Sequence, residues 1–287
     1  MSDVKQEIQQ FWDERPQTYG DTHGVASYDG QLFEPGTREF FQRLDKEFTS
    51  WNHPLHNQKP FDRLFPFDHY GPGHQVLEIG CGMGTMAMQW ALHGVELSAI
   101  DLNHYAVTQT RTRFELFQLT GDIRQGDARN LDFPDQQFDY VYSWGVLHHS
   151  PNLEKSLAEL IRVLKPGGRY GIMLYHRHSF LNCYWTHFIE GFLHYEHRFL
   201  GPLELSSRYG DGYAQEGNPH TWPVTRKEII AMLRPHSAEL ATRTLGTELD
   251  SMFKLMLPGI GVLLPRAVKK CWARRFGWSL WIYGVKK

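Results

Sequence analysis

The chain has 287 residues, 41% apolar and 22% charged, the proportions of a globular protein able to bury a sizeable core. Thirty Lys and Arg against 32 Asp and Glu leave a formal charge of −2, so no global field favours nucleic acid. Three cysteines, Cys81, Cys183 and Cys271, have neither paired nor metal-type spacing, which excludes a disulfide framework and fits a reducing compartment.

The first residues, MSDVKQEIQQFW, are polar and carry acids, unlike a signal peptide. Residues 1–70 read as a helical, aromatic-rich cap. In TREFFQRLDKEFTSWN, Phe40, Phe41, Leu44, Phe48 and Trp51 share one helical stripe. Residues 71–175 then alternate. QVLEI predicts a strand, TMAMQWALHG a helix ended by Gly94, VELSAI a strand, and 104–118 a helix. GDIRQGD holds a short strand and FDYVYSW a clear one. SPNLEKSLAELIRVLKPGG predicts a helix stopping at Pro166-Gly167-Gly168, before the strand RYGIMLY. This alternation predicts a parallel sheet with helices on both faces.

After Tyr175 the pattern loosens. Residues 176–224, rich in His, aromatics and Gly, are expected to form an inserted lid over an active site. Residues 225–287 complete the core sheet. A capping box, Thr225 to Glu228, opens the helix RKEIIAMLR, and AELATRTL and SLWIYGVK are the last strand candidates. No run reaches the roughly 20 apolar residues of a membrane span. The longest, 252–265, is broken by Lys254, Pro258, Gly259 and Pro265. The expected location is therefore cytoplasmic.

The chemistry is concentrated in VLEIGCGMGT, residues 76–85. Its G-x-G-x-G spacing differs from the dinucleotide G-x-G-x-x-G, and no Lys-Ser/Thr follows to make a P-loop. A nicotinamide dehydrogenase is accordingly a weak reading. Glycines at the end of a first strand let the backbone approach a ligand lying beyond the strand ends. Asp101 ends the second strand, where an acid can bind ribose hydroxyls. Asp127-Ala128 follows the third, where a carboxylate can accept from an exocyclic amine such as adenine N6. Ser143 to His149 follow the fourth at the same rim. Together they describe an adenosine ligand gripped by carboxylates.

VLEIGCGMGT, AIDLN, GDARNLDFPDQQFDYVYSWGVLHHSPN and LIRVLKPGGRYGIMLY resemble, in order and spacing, the motifs of class I S-adenosylmethionine-dependent methyltransferases, in the small-molecule branch called type 11. The resemblance covers roughly 75–175. It implies an α/β, Rossmann-like, seven-stranded mostly parallel sheet with the last strand antiparallel. It implies that Gly80, Cys81, Gly82 and Gly84 line the methionyl and ribose part of the cofactor. It further implies that Glu78 buttresses the loop or meets the amino group through water. Asp101 would hold the ribose diol and Leu102 pack on adenine. Asp127 and Ala128 would read the adenine edge, and the Ser143 carbonyl would meet the methionyl ammonium.

The acceptor is less legible, because an activated methyl needs mainly an aligned nucleophile. The place of the Asn/Asp-Pro-Pro-aromatic motif of nucleobase N-methylation reads SWGVLHHS, and no acidic cluster for a hard cation lies between 143 and 152. The 16 histidines show no closed ligand spacing, so no metal is expected. His148 is the candidate general base, or only a shaper of the cofactor loop. His176 and His178 follow the fifth strand. His220 and Trp222, in EGNPHTWPVT, either contact substrate or form a rigid loop whose Trp packs on the core. Tyr19 and Tyr28 either close over the cofactor or fill the cap. From 266 to 287 there are seven Lys and Arg and no acid, interleaved with Trp272, Phe276, Trp278 and Trp281. Such a stretch suits weak membrane-surface contact or a lipid-like substrate, or else packs as an ordinary helix and strand. The expected activity is methyl transfer to O, N or C of a small apolar or aromatic acceptor in specialised metabolism. Alternatives are a lipid or prenyl diphosphate acceptor, and a non-catalytic S-adenosylmethionine-binding module.

Overall fold

The computed structural model describes residues 4–14, 33–52, 55, 61–210, 217–246 and 265–287. Two helices, α1 (Val4–Glu14) and α2 (Arg38–Trp51), precede the sheet. The core then runs β1 (Gln75–Ile79), α3 (Thr85–Leu92), β2 (Glu96–Asp101), α4 (His104–Leu116), β3 (Asp122–Gln125) and β4 (Phe138–Trp144). It continues through α5 (Leu153–Val163), β5 (Leu164–Tyr175), α6 (Leu181–Leu193), α7 (Pro202–Gly210), α8 (Arg226–Leu233), β6 (Ser237–Leu245), α9 (Arg266–Phe276) and β7 (Ser279–Lys286). The seven strands lie in the order β3-β2-β1-β4-β5-β7-β6. β7 runs antiparallel to both its neighbours, while β1 to β5 pair in parallel.

Alternation along each strand divides the core between the two faces. Leu77, Ile79, Val141, Ile172 and Leu174 pack with Leu157 and Leu160 of α5 and Ile229 and Leu233 of α8. Val76, Tyr140, Tyr142 and Trp281 pack on the other face with Trp90 of α3 and with Phe61, Phe65 and Phe67. On α2 four members of the expected stripe, Phe40, Phe41, Leu44 and Phe48, are buried, the Trp51 side chain lies outside the described residues, and Thr37 caps the helix by accepting from Phe40 N. The Thr225–Glu228 capping box opens α8.

One boundary differs from the sequence reading. α5 stops at Val163, and Leu164 to Gly168 belong to β5 rather than to the helix. Proline disfavours helical geometry in the residue before it. Leu164 is already extended, at φ −71°, ψ 140°. The register with β4 then jumps from Phe138↔Leu164 to Tyr140↔Arg169, which absorbs the Pro-Gly-Gly turn as an irregularity in the strand. Residues after β5 leave the sheet through α6 and α7 and return where His176 bridges Val224.

Candidate active site

The glycine turn caps β1. Gly80, Gly82 and Gly84 all have positive φ, and they do different work. A Cβ on Gly80 would lie 2.1 Å from Val146 Cγ2, so packing demands its absence. Among the described residues, a Cβ on Gly82 would meet nothing within 4 Å. That glycine faces open space at the strand ends, where a ligand can approach the backbone.

The turn is held from behind by β2 and α4. Gly80 N and Cys81 N donate to Ile100 O at 2.7 and 3.0 Å. Thr110 Oγ1 donates to Gly82 O at 2.8 Å. Three residues on, Arg113 Nη1 donates to Met83 O at 2.9 Å and to Thr85 Oγ1 at 3.1 Å. Arg113 is fully buried, pairs with Asp45 of α2 and stacks on Phe41 at 5.0 Å. Burial lowers its pKa and the Asp45 carboxylate opposes that. Residues Thr110, Arg113 and Asp45 escaped sequence reading, although a helical i, i+3 spacing places the first two on one face of α4.

The acids take up their places around this turn. Asp101 Oδ2 accepts from Gly82 N at 2.8 Å and Oδ1 from Asn103 N at 2.9 Å. Burial raises its pKa, and these two N–H groups oppose the rise. Glu78 is buried beside the Tyr142 phenol, and among the described residues its Oε2 has no hydrogen-bond partner. Burial pushes its carboxyl well above the usual carboxylate range. Cys81 is buried, with Sγ 3.9 Å from Thr110 Oγ1. Ser143 Oγ donates to Ile79 O at 2.8 Å, tying β4 to β1. Leu102 is half-buried and its carbonyl accepts from Gln125 Nε2 at 2.9 Å. Ala128 packs against the core.

Asp127 is more heavily engaged than its sequence position implied. Arg129 N, Nε and Nη2 lie at 2.9, 3.2 and 2.9 Å from its oxygens, and Lys5 Nζ at 3.1 Å. Burial would raise its pKa, but the hydrogen bonds from Arg129 and Lys5 outweigh this and hold it at about 2. Lys5 belongs to α1, which crosses this rim. Trp12 O accepts from Asn103 Nδ2, Asp13 Oδ1 accepts from His104 N at 2.9 Å, and the Trp12 ring meets His149 edge-on at 5.3 Å. Nothing in the sequence beyond the apolar Phe11-Trp12 pair pointed to α1 here.

Past β4, a single 3₁₀ turn carries Leu147, His148 and His149. His148 is fully buried between the rings of Tyr175, at 3.8 Å, and His149, at 4.2 Å. Neither of its ring nitrogens has a hydrogen-bond partner among the described residues, and burial holds its pKa well below the ordinary histidine value. Tyr175 in turn stacks on Trp278 at 4.2 Å. His149 Nδ1 donates to His220 O at 2.9 Å, and Trp222 N donates to His148 O at 2.9 Å. The 217–224 segment thus closes over the histidine pair through its backbone. The Trp222 side chain is 43% exposed under the Arg177 guanidinium, so it does not pack on the core. His176 is buried and turned toward α9 and β7, its Nδ1 donating to Gly277 O at 3.3 Å; burial pushes its pKa down to about 4. His178 is exposed, 5.9 Å from the His176 ring. Tyr19 and Tyr28 lie outside the described residues. Among the described residues no group of three or more His, Cys, Asp or Glu is placed to hold a metal ion.

A seven-stranded sheet with an antiparallel β7, a glycine turn after β1 and acids at the ends of β2 and β3 define a class I methyltransferase fold. Residues 77–172 match the family model described as "Methyltransferase domain". Over 104 residues, 35% of this chain and 27% of the relative, it is 36% identical to a sterol 24-C-methyltransferase of Gibberella zeae. Over 100 residues, 34% of this chain and 36% of the relative, it is 39% identical to a phthiotriol/phenolphthiotriol dimycocerosates methyltransferase of Mycobacterium tuberculosis. The match thus spans little more than a third of these relatives at most. Among solved structures, a SAM-dependent methyltransferase from Methanosarcina mazei superposes with TM-score 0.53 at 19% identity, covering 78% of this chain and 98% of that one. The [4+2]-cyclase SpnF superposes with TM-score 0.56 at 16% identity over 99% and 96%. The fold therefore does not by itself fix a reaction.

S-adenosylmethionine is the cofactor of the type 11 branch, and the residues present fit it. The space over Gly82 would admit its backbone-facing part, the Asp101 carboxylate borders that space, and the unpartnered Glu78 Oε2 is available to an ammonium or to a water beneath it.

Proposed function

We propose that the protein transfers the methyl group of S-adenosylmethionine to O, N or C of a small apolar or aromatic acceptor. The observation that carries this reading is the opening at Gly82, bordered by Asp101 and backed by the orphaned Glu78 oxygen. Asp101 would take the ribose hydroxyls on its remaining lone pairs. Leu102, Asp127 and Ala128 would meet the adenine, with Lys5 yielding its place on Asp127 as the base arrives. Gly80, Cys81 and Gly84 shape the turn, and the Ser143 carbonyl would meet the methionyl ammonium.

When bound, the cofactor supplies a methyl group already activated on a sulfonium. The chain's own work is to align the nucleophile, exclude water and, where the acceptor carries a proton, receive it. His148 is our candidate for that proton. It is neutral, and among the described residues its ring nitrogens have no hydrogen-bond partner. A proton reaching it relocates a positive charge already in the site rather than adding one, which offsets the burial that otherwise opposes its protonation. His149, Tyr175, His220, Trp222 and the more distant His176 and His178 would border the acceptor. Turnover of a labelled methyl donor across an acceptor panel tests the reading. Cofactor binding without any transfer would favour the binding-module alternative.

A second reading, a lipid or prenyl diphosphate acceptor with weak membrane-surface contact, is favoured by exposed aromatic rings on α6 and by relatives whose names carry sterol and dimycocerosate substrates. No helix among the described residues is long and apolar enough to cross a membrane. Free Cys81, Cys183 and Cys271 support a reducing, cytoplasmic setting.

A further inference from the structure

α6 is amphipathic in the wrong sense for a helix facing water. It buries Asn182, Thr186 and Gly191 against α7, where Ser206 Oγ donates to Asn182 Oδ1 at 3.2 Å. It exposes Tyr184, Phe188, Phe192 and Leu193. A surface helix ordinarily does the reverse. The helix is also wide, closed by i→i+5 bonds such as His194 N to Ile189 O at 3.0 Å, a geometry that is rare and concentrated at functional positions.

The exposed rings are ordered. Phe180, Tyr184, Phe188 and Phe192 follow one another every four residues, with centroids 4.9, 5.8 and 6.0 Å apart and planes within 27° of parallel. The stripe continues into Tyr195 and into Phe199, which is 85% exposed. Contiguous apolar surface of this kind marks an interaction site. The one acid of the helix, Glu190, is largely buried and bridged to His194 at 2.8 Å.

α9 supplies the complementary charge. It carries exposed Lys270, Arg274 and Arg275 beside exposed Trp272 and Phe276, and no acid. Its C-terminal end adjoins the chain leading into α6, where His176, four residues before Phe180, bonds Gly277. Apolar rings and exposed cations therefore leave the same rim of the sheet, where Tyr175 at the end of β5 pairs with Ser279 at the start of β7.

We infer that α6 and α9 together form an interfacial surface that docks the enzyme on an anionic lipid bilayer. The α6 rings enter the headgroup boundary and the α9 cations meet the lipid phosphates. A second copy of the chain is the poorer occupant, because a two-fold contact through this face would gather both copies' α9 cations into one interface. This deepens the lipid-acceptor reading, yet cofactor binding is measured separately from it.

The test is co-sedimentation of the full chain with phosphatidylcholine vesicles, with and without phosphatidylglycerol, at low and high salt. Three proteins are compared: wild type, Phe188→Ser/Phe192→Ser, and Lys270→Glu/Arg274→Glu. Wild type should partition onto the phosphatidylglycerol vesicles at low salt. The aromatic variant should partition about tenfold less with its charge unchanged, and the charge variant should lose the preference for anionic lipid. Both variants should keep wild-type affinity for S-adenosylmethionine, which shows that they fold. Equal partition of the aromatic variant and wild type would overturn the inference. So would a wild type that ignores both vesicles, including one that instead dimerises through Phe192. Failure of all three proteins to bind S-adenosylmethionine would count against the methyltransferase reading and leave the vesicle result to stand by itself.

Discussion

Replacing Arg113 with Met probes the link between the cap and the cofactor turn. The side chain donates to Met83 O and Thr85 Oγ1 and pairs with Asp45, all from a fully buried position. Methionine can fill the apolar part of that space against Phe41 but makes none of these bonds. Removing one partner of a buried ion pair costs about 3–5 kcal/mol. Asp45 keeps 29% of its side chain exposed, so water takes up part of its charge and the lower end, about 3 kcal/mol, applies. At about 2–3 °C per kcal/mol for a chain of this length, Tm should fall by roughly 6–9 °C in differential scanning fluorimetry. The turn also loses the anchor of its Met83 carbonyl, so calorimetric affinity for S-adenosylmethionine should weaken by about tenfold. Adding Asp45→Asn should recover part of the Tm loss, because the unpaired charge is then gone. An Arg113→Met protein with unchanged Tm and unchanged affinity would refute the anchoring argument.

Gly82→Ala and Gly80→Ala should separate binding from folding. The first keeps the fold at a small cost from alanine's strained positive φ and loses most cofactor affinity, because its methyl enters open space; the second lowers Tm sharply against Val146. Circular dichroism melts paired with calorimetry distinguish them. His176 has a folded pKa of about 4, below its unfolded value, so the unfolded state binds the extra proton. Stability should therefore fall as pH drops from about 6.5 to 4, by up to about 1.4 kcal/mol per pH unit for each such histidine, and His176→Gln should flatten the slope of urea midpoints against pH. His148, shifted down by burial, adds to the same trend. Lys5→Ala should leave the melt nearly unchanged, the Lys5–Asp127 pair being partly exposed, and should speed cofactor association in stopped-flow fluorescence if Lys5 must leave Asp127 first.

The sheet was legible because β1, β2, β4 and their helices obey local rules: apolar runs, a glycine turn, and capping at Thr225. The acids were legible for the same reason, since each sits a fixed distance from a strand end. What escaped reading depends on contacts far apart in sequence. Lys5 meets Asp127, Trp12 meets His149, and Asp45 meets Arg113, and no periodicity joins such pairs. The end of α5 escaped for a local reason: Pro166 disfavours helix at Lys165, and the chain is already extended at Leu164, so the strand begins before the Pro-Gly-Gly turn instead of after it. Trp222 looked like either a substrate contact or a core residue; its ring is largely exposed beneath Arg177, which removes the core reading.

Titration calorimetry of the purified protein with S-adenosylmethionine and, separately, with NAD tests the central claim most directly. Wild type should bind the first and not the second, and Asp101→Ala should bind S-adenosylmethionine far more weakly. Binding of NAD alone, or an Asp101→Ala protein with undiminished affinity, would contradict the site derived from Gly82, Glu78 and Asp101.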